Sequence, residues 1–322
     1  PIWAGGCVRD LLLGRTAKDY DVATSARPNE VQRIFKRTVA VGESFGVIRV
    51  LGGPGCEVEV ATFRSDGVYS DGRRPESVVF SSPEEDAQRR DFTINGMFYD
   101  PLSDKVLDYV GGREDLERRV VRAIGDPRLR FQEDKLRLLR TVRFAAGLEF
   151  AIDPATRRAA SEMAGGIVVV SPERVLMELR TMASSPMRAA ALELMRDVGL
   201  FPHVLPEAAS VAEDSARWED VAAVCSVWTH AVSLPLALAG LFSFSPGDPI
   251  ALAATAVERL RASNDDRDRV AWLLHHRDAM ADARNARLST LKRLFAHPGI
   301  GELLDLAEAL ERRRTGRSSS AD

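Results

Sequence analysis

The sequence predicts an α+β fold: a small N-terminal head built on a mixed β-sheet, followed by an all-α neck, body and tail. Three observations lead there. Strand-like alternation and glycine turn signals crowd into the residues before Leu116. Helical periodicity takes over from Leu116 and persists to Glu311. A chain of 322 residues is also long enough for two or three domains with cores of their own.

Taken in order, Pro1–Gly6 begins as if already inside a strand, so a further segment is expected to precede it. Val8–Leu13 reads as a short helix. Val39–Leu51 alternates as a strand, and Gly52-Gly53-Pro54-Gly55 marks a turn into a second strand, Cys56–Phe63. The polar stretch Arg64–Phe80 carries Gly67, Gly72 and Pro75 and reads as a mobile loop. Thr93–Tyr99 and Lys105–Tyr109 read as further strand or buried segments. Asp126-Pro127 opens a helix running through Phe131, Leu136, Leu139 and Val142, apolar at helical spacing. Ser171-Pro172-Glu173-Arg174 starts another, with proline in the first turn. Ala189–Val198, Trp218–Val232, Leu234–Leu241, Ala251–Ala262, Asp265–His275, Leu288–Ala296 and Gly301–Glu311 complete the helical part. The expected boundaries are a head at 1–115, a neck at 116–190, a body and tail at 191–311 and a disordered basic end at 312–322.

Composition narrows the class. With 45% hydrophobic and 28% charged residues this is an ordinary soluble globular chain. No apolar run approaches bilayer length, and the most apolar stretch, Leu234–Phe244, is short and contains Pro235, so no membrane partner is expected. The start is no signal peptide. Cys7, Cys56 and Cys225 are scattered without metal-ligand spacing, which points to reduced thiols in a cytoplasm. A net charge of −3 argues weakly against a polyanion partner. The charge is uneven, however: Arg113–Arg143 holds ten basic and six acidic residues, and Glu311–Arg317 holds four arginines. Arginine is the cation suited to bidentate phosphate and base contacts.

The most informative run is Gly5-Gly6-Cys7-Val8-Arg9-Asp10-Leu11-Leu12-Leu13-Gly14, followed by Asp19-Tyr20-Asp21. Residues two apart on a strand share a face, so Asp19 and Asp21 can converge on the same cations. Two such carboxylates suit a pair of Mg²⁺ ions, one activating a hydroxyl and one supporting a leaving pyrophosphate. Gly5 and Gly6 let backbone N–H groups approach a triphosphate at a helix start, and Arg9 adds a side-chain donor there. An isolated Asp-x-Asp or Gly-Gly is usually a turn or cap; only the joint spacing carries the reading.

That joint spacing resembles the class II nucleotidyltransferases of the polymerase-β superfamily, the family of bacterial tRNA CCA-adding enzymes and poly(A) polymerases. Three further segments extend the resemblance in family order. Glu85-Asp86-Ala87-Gln88-Arg89-Arg90-Asp91-Phe92-Thr93-Ile94-Asn95 looks like the motif that meets nucleotide phosphates and ribose, implicating Arg90, Asp91 and Asn95. Arg130–Phe144 looks like the nucleotide-selecting motif, and Ser171–Leu179 like the neck motif that follows. Beyond about Ala190 no family motif is recognisable. The resemblance implies a polymerase-β-like catalytic head, a nucleotide-selecting neck and an RNA-binding body. It also implies template-independent addition of CMP and AMP, from CTP and ATP, to the 3′ end of tRNA with two Mg²⁺ ions on Asp19 and Asp21.

The selecting motif has a physical reading of its own. Asp134 and Arg137 lie three apart on the expected helix and so share a face. A guanidinium donates to ring and carbonyl acceptors, and a carboxylate accepts from an exocyclic amine. Cytosine and adenine offer that combination, whereas uracil and guanine present a ring N–H and a carbonyl of the wrong polarity. Arg140 and Arg143 continue the face toward a triphosphate. The bland alternative is a surface ion pair. Glu59, on the second strand, is a third candidate metal carboxylate.

Other features set limits. The Arg64-Ser65-Asp66 to Arg73-Arg74-Pro75 stretch resembles the flexible loop of enzymes that add the terminal A, which speaks against a C-only enzyme. None of the five histidines is followed by Asp or makes a zinc spacing with cysteine, which argues against an added metal hydrolase site. Trp218, Trp228 and Trp272 read as core of the helical body. The competing readings are an A-adding enzyme or poly(A) polymerase, a catalytically silent RNA-binding relative, and a small-molecule nucleotidyltransferase. Asp19, Asp21, Asp134 and Arg137, all intact, count against the silent relative.

Overall fold

The computed structural model describes residues 1–17, 19–42, 46–53, 57–67, 78–281, 283 and 285–316. The chain divides into two compact units, Pro1–Arg137 with Phe150–Ala160, and Leu138–Glu149 with Ser161–Asp322.

The first unit is built in the order β1 (Ile2–Ala4), α1 (Gly6–Leu12), β2 (Asp21–Thr24), α2 (Pro28–Ile34), β3 (Thr38–Gly42), β4 (Val47–Leu51), β5 (Glu57–Thr62), β6 (Arg64–Asp66), β7 (Val78–Phe80), α3 (Pro83–Gln88), β8 (Phe98–Asp100), β9 (Lys105–Leu107), α4 (Gly112–Glu117), β10 (Val120–Val121) and α5 (Pro127–Glu133). Seven strands form one sheet in the order β3-β4-β5-β2-β1-β8-β9. Only β2 and β5 pair in parallel; the other neighbours are antiparallel, so the sheet is mixed as the sequence predicts. Its register aligns Ala4 with Asp21 and Asp21 with Glu59. Paired residues on adjacent strands share a face. The Asp21 face packs on Ala4, Ala23, Phe63, Ala87 and Phe98, and the other face on Val31, Ile48 and Val60. The two carboxylates therefore rise from a face whose apolar remainder is the core of the unit.

Several sequence expectations need correction. Val39–Leu51 is not one strand but an antiparallel pair, β3 and β4. Alternation survives the reversal, and Gly46, at φ +79, carries the left-handed backbone that marks it. The expected mobile loop at Arg64–Phe80 has paired ends, β6 against β7, while residues 68–77 lie outside those described, as does Cys56. Thr93–Tyr99 divides between the two forms expected of it: Thr93–Asn95 is a buried 3₁₀ turn, and the strand begins at Phe98.

The neck helix is likewise broken. It consists of α5 and α6 (Leu136–Leu148), with Asp134 extended between them at φ −145 and ψ 105. The Asp134 carboxylate accepts from the Leu136 N–H at 3.1 Å, starting the second helix. Apolar spacing crosses the break unchanged, which is why periodicity misses it. Asp126 and Pro127 do open α5, the Asp126 side chain accepting from the Arg128 N–H. After α6 the first unit regains β11 (Ala151–Ile152) and most of α7 (Pro154–Glu162).

The second unit is helical: α8 (Pro172–Ser184), α9 (Arg188–Asp197), α10 (Phe201–Val204), α11 (Ala209–Glu213), α12 (Ser215–Val227), α13 (Leu234–Phe242), α14 (Pro249–Arg259), α15 (Asn264–His276), α16 (Leu288–Phe295) and α17 (Ile300–Thr315). Each helix read from the sequence here falls on one of these, except that α12 ends at Val227, so Trp228–Val232, expected to continue it, are not helical. Trp218 and Trp228 are buried, and the Phe201 ring meets Trp218 edge-on at 5.0 Å. Arg188, buried without a carboxylate, donates instead to the carbonyls of Ala183, Cys225, Trp228 and His230. Burial pushes the neighbouring Cys225 thiol up to about 12. The basic end expected at 312–322 is corrected in part: Arg312–Thr315 are the last turn of α17, which ends on left-handed Gly316, and 317–322 lie outside the described residues. No helix among the described residues is long and apolar enough to cross a membrane.

Candidate active site

Asp21 opens β2, and Asp19 stands two residues ahead of it, outside the strand rather than on it as the spacing argument assumed. Glu59 is the parallel partner of Asp21 on β5. The Asp21 residue is open at its surface, yet its carboxyl is partly withdrawn from water. That desolvation, then the charge of Glu59, and to a lesser degree that of Asp19, push its pKa up, with Arg90 pulling it down. Crowded like charges of this kind favour a cation. Arg49 on β4 supplies part of one, its Nη2 lying 2.9 Å from Glu59. Among the described residues no three His, Cys, Asp or Glu side chains converge into a metal cage of their own.

Gly5 takes φ +76, a backbone that favours glycine, and a Cβ there would lie 2.8 Å from Arg90 Nη1, so a larger residue would also push on that guanidinium. Its N–H donates to the Met97 carbonyl at 3.0 Å, so the expectation that Gly5 offers this donor to phosphate is corrected. Gly6 is the first residue of α1. Arg9 donates to Asn95 Oδ1 at 2.7 Å and to Asp10, tying α1 to the 3₁₀ turn. Asn95 in turn donates to Asp91 Oδ1 at 3.1 Å, and the same oxygen accepts from the Phe92 N–H at 2.8 Å. Asp91 and Asn95 are both buried, so each is engaged in holding the turn.

Asp86, only 1% exposed, is the node of the site. Its Oδ2 accepts from Arg90 Nε and Nη2, and its Oδ1 from Arg89 Nε and the Arg64 N–H. Burial alone would raise its pKa; Arg90 and then Arg89 override that and hold the carboxyl below its ordinary value. So braced, the Arg90 guanidinium lies 5.0 Å over the Phe98 ring, on the Asp21 side of the sheet.

Arg137 is buried and its donors are divided. Nη1 reaches Glu133 at 2.6 Å and the Arg130 carbonyl at 3.0 Å, while Nη2 reaches the Arg89 carbonyl at 3.0 Å. Asp134 lies in the helix break, so the shared-face argument for the Asp134–Arg137 pair fails, although both belong to the first unit. Arg140 and Arg143 belong to the second unit, where both pair with the buried Glu178 of α8 instead of extending the Arg137 face. Sequence reasoning missed Asp86 and Glu133 as organisers. The signal was present: Asp86–Arg90 and Glu133–Arg137 are acid-to-arginine pairs at i,i+4.

The poly(A) polymerase head domain family matches residues 2–122, and the family described as the probable RNA and SrmB-binding site of polymerase A matches 149–211. The CCA-adding enzyme of Geobacillus kaustophilus is 45% identical over 210 residues, covering 65% of this chain and 52% of its own. The chain belongs to the tRNA nucleotidyltransferase and poly(A) polymerase family. The Bacillus subtilis CCA-adding enzyme is 43% identical over 200 residues, covering 62% of this chain and 50% of its own, so the chain spans about half the length of these curated relatives. The Bacillus stearothermophilus CCA-adding enzyme solved with CTP superposes with a TM-score of 0.74 at 29% identity, covering 98% of this chain and 74% of that one. The Thermotoga maritima CCA-adding enzyme solved with tRNA, at 20% identity and a TM-score of 0.66, shares the fold of this family member.

Proposed function

We propose that this chain adds CMP and AMP, drawn from CTP and ATP, to the 3′ end of tRNA without a nucleic-acid template, building or repairing CCA ends in the cytoplasm. One observation carries the reading. Within a single unit, the Asp21 and Glu59 carboxylates share a sheet face with a braced Arg90, and Arg137 is fixed to the same short segment that holds Arg90. The relatives named above are CCA-adding enzymes, one of them solved with CTP.

In this reading Asp19 and Asp21 hold two Mg²⁺ ions, with Glu59 beside them. The residues fit, because a cation offsets both the desolvation and the Glu59 repulsion that raise the Asp21 pKa. A hard cation of this kind would need only a few carboxylates from the protein, not a full protein cage. When bound, it eases deprotonation of the attacking 3′ hydroxyl and neutralises the departing pyrophosphate. Arg90 orients the triphosphate, held at a fixed angle by Asp86. Asp91, Asn95 and Arg9 hold the turn that presents it. Arg137 donates to the ring acceptor of cytosine or adenine and Asp134 accepts from the amine; uracil and guanine reverse that polarity. Arg140 and Arg143, expected from the sequence to meet nucleotide, each pair with Glu178, as Arg90 pairs with Asp86.

The test removes the carboxylates. Asp19→Ala and Asp21→Ala are each expected to abolish nucleotide transfer while tRNA binding, measured by gel shift at fixed salt, stays near wild type. Transfer surviving in Asp21→Ala would place the metal chemistry elsewhere.

A further inference from the structure

The hydrogen bonds around α3 form a relay that the reaction chemistry does not itself require. Arg64, the first residue of the β6–β7 ribbon, is clamped at both backbone groups. Its N–H donates to Asp86 Oδ1 at 3.3 Å, and its carbonyl accepts from Arg89 Nε at 3.1 Å. Arg89 caps the C-terminal end of α3, and its own carbonyl accepts from Arg137 Nη2 at 3.0 Å. The preceding carbonyl, that of Gln88, accepts from Arg130 Nη1 at 3.0 Å. Two guanidinia thus sit on the carbonyl end of one helix, where the backbone is an acceptor. Glu133 then holds the same two arginines at 2.6 and 2.7 Å.

The geometry points to Arg89 as a positioning residue that couples the root of the β6–β7 ribbon to Arg137, so that the side chain of one residue and the carbonyl of the same residue set the base-reading guanidinium against the ribbon. The inference rests on the reading of Arg137 as the group that meets the base. A change in the Arg64 backbone alters the bond to Arg89 Nε, rotates the end of α3 and moves the carbonyl on which Arg137 sits. Packed hydrogen-bond networks carry such displacements when each link is a short fixed bond. Arg89 touches no reacting atom in this scheme.

The experiment replaces Arg89 by Met, which keeps the apolar stem and removes both side-chain links, and by Lys, which keeps a cation for Asp86 but not the planar reach to Arg64. Two readouts are needed. The Arg137 guanidinium resonances, assigned in ¹⁵N-labelled full-length protein by their loss in Arg137→Lys, report position. Competition among the four nucleoside triphosphates on one tRNA acceptor reports base choice. In Arg89→Met the Arg137 resonances are expected to shift, and preference for CTP and ATP over UTP and GTP to fall about fivefold, the size of one lost hydrogen bond. Arg89→Lys should shift the same resonances less. Unchanged Arg137 resonances in both folded variants, with at most a lower melting temperature, would make Arg89 a strut and overturn the coupling. A shift without altered base choice would uphold the coupling and refute Arg137 as the base reader.

Discussion

Glu133 holds Arg137 with one carboxylate oxygen and Arg130 with the other, so the cation proposed to read the base is already oriented. Hydrogen-bond polarity then sets what mutation does. Asp134→Ala removes the amine acceptor and one clash with carbonyl-bearing bases, so UTP and GTP should be misincorporated more often in four-way competition. Arg137→Ala should weaken use of CTP and ATP, by roughly 1–3 kcal/mol if the contacts resemble other side-chain contacts to base edges. Loss of speed with unchanged base choice in both variants would reduce the pair to structure. Asp86 yields a prediction in pH. Its folded pKa is lowered, so its contribution to stability is complete above the ordinary carboxylate value of about 3.9 and is lost as pH falls through the folded value. Urea midpoints measured downward from pH 6 should therefore decline more steeply in wild type than in Asp86→Asn. Parallel curves would show that Arg89 and Arg90 do not stabilise the charged form.

At the scale of elements, the turn from β1 into α1 is the most demanding. Gly5 takes a backbone that only glycine adopts easily, and its missing side chain leaves room for Arg90. Gly5→Ala should cost about 1–3 kcal/mol of stability. It should also raise the KM for CTP, since Arg90 must move; thermal melting and steady-state kinetics read the two effects separately. An unchanged KM alongside a lowered melting temperature would mean that Arg90 does not orient the triphosphate. How much could be read beforehand also differs by element. Asp19-Tyr20-Asp21 and the helices of the second unit announce themselves by local spacing. Glu59 could be named but not placed, because its position beside Asp21 depends on a parallel pairing of β2 with β5 that no local pattern encodes. The break at Asp134 is concealed for a different reason: Phe131, Leu136, Leu139 and Val142 keep helical spacing across it. Glu133 is legible in the sequence as an i,i+4 partner of Arg137, although the adjacent Asp134 offers a competing acid at i,i+3.

For the molecule as a whole, the residues proposed to meet metal, phosphate and base all lie in Pro1–Arg137, whereas the helical unit carries its own ion pairs, such as Glu178 with Arg140 and Arg143. The family matches divide the chain only partly in this way: the poly(A) polymerase head domain at 2–122 lies in the first unit, whereas the RNA-associated match at 149–211 takes in Phe150–Ala160 of the first unit as well as part of the second. On the proposed function, one amino-acid site selects both C and A and stops at CCA. That selection is tested most directly by giving the purified chain three tRNAs, ending before the CCA, after its first C and after CC, each with CTP alone, ATP alone and the two together. C addition with CTP to the first two acceptors, A addition with ATP to the third, and complete CCA ends on all three in the mixture are expected. Incorporation of A alone, confined to the acceptor ending in CC, or an extending run of A, would contradict the proposed function.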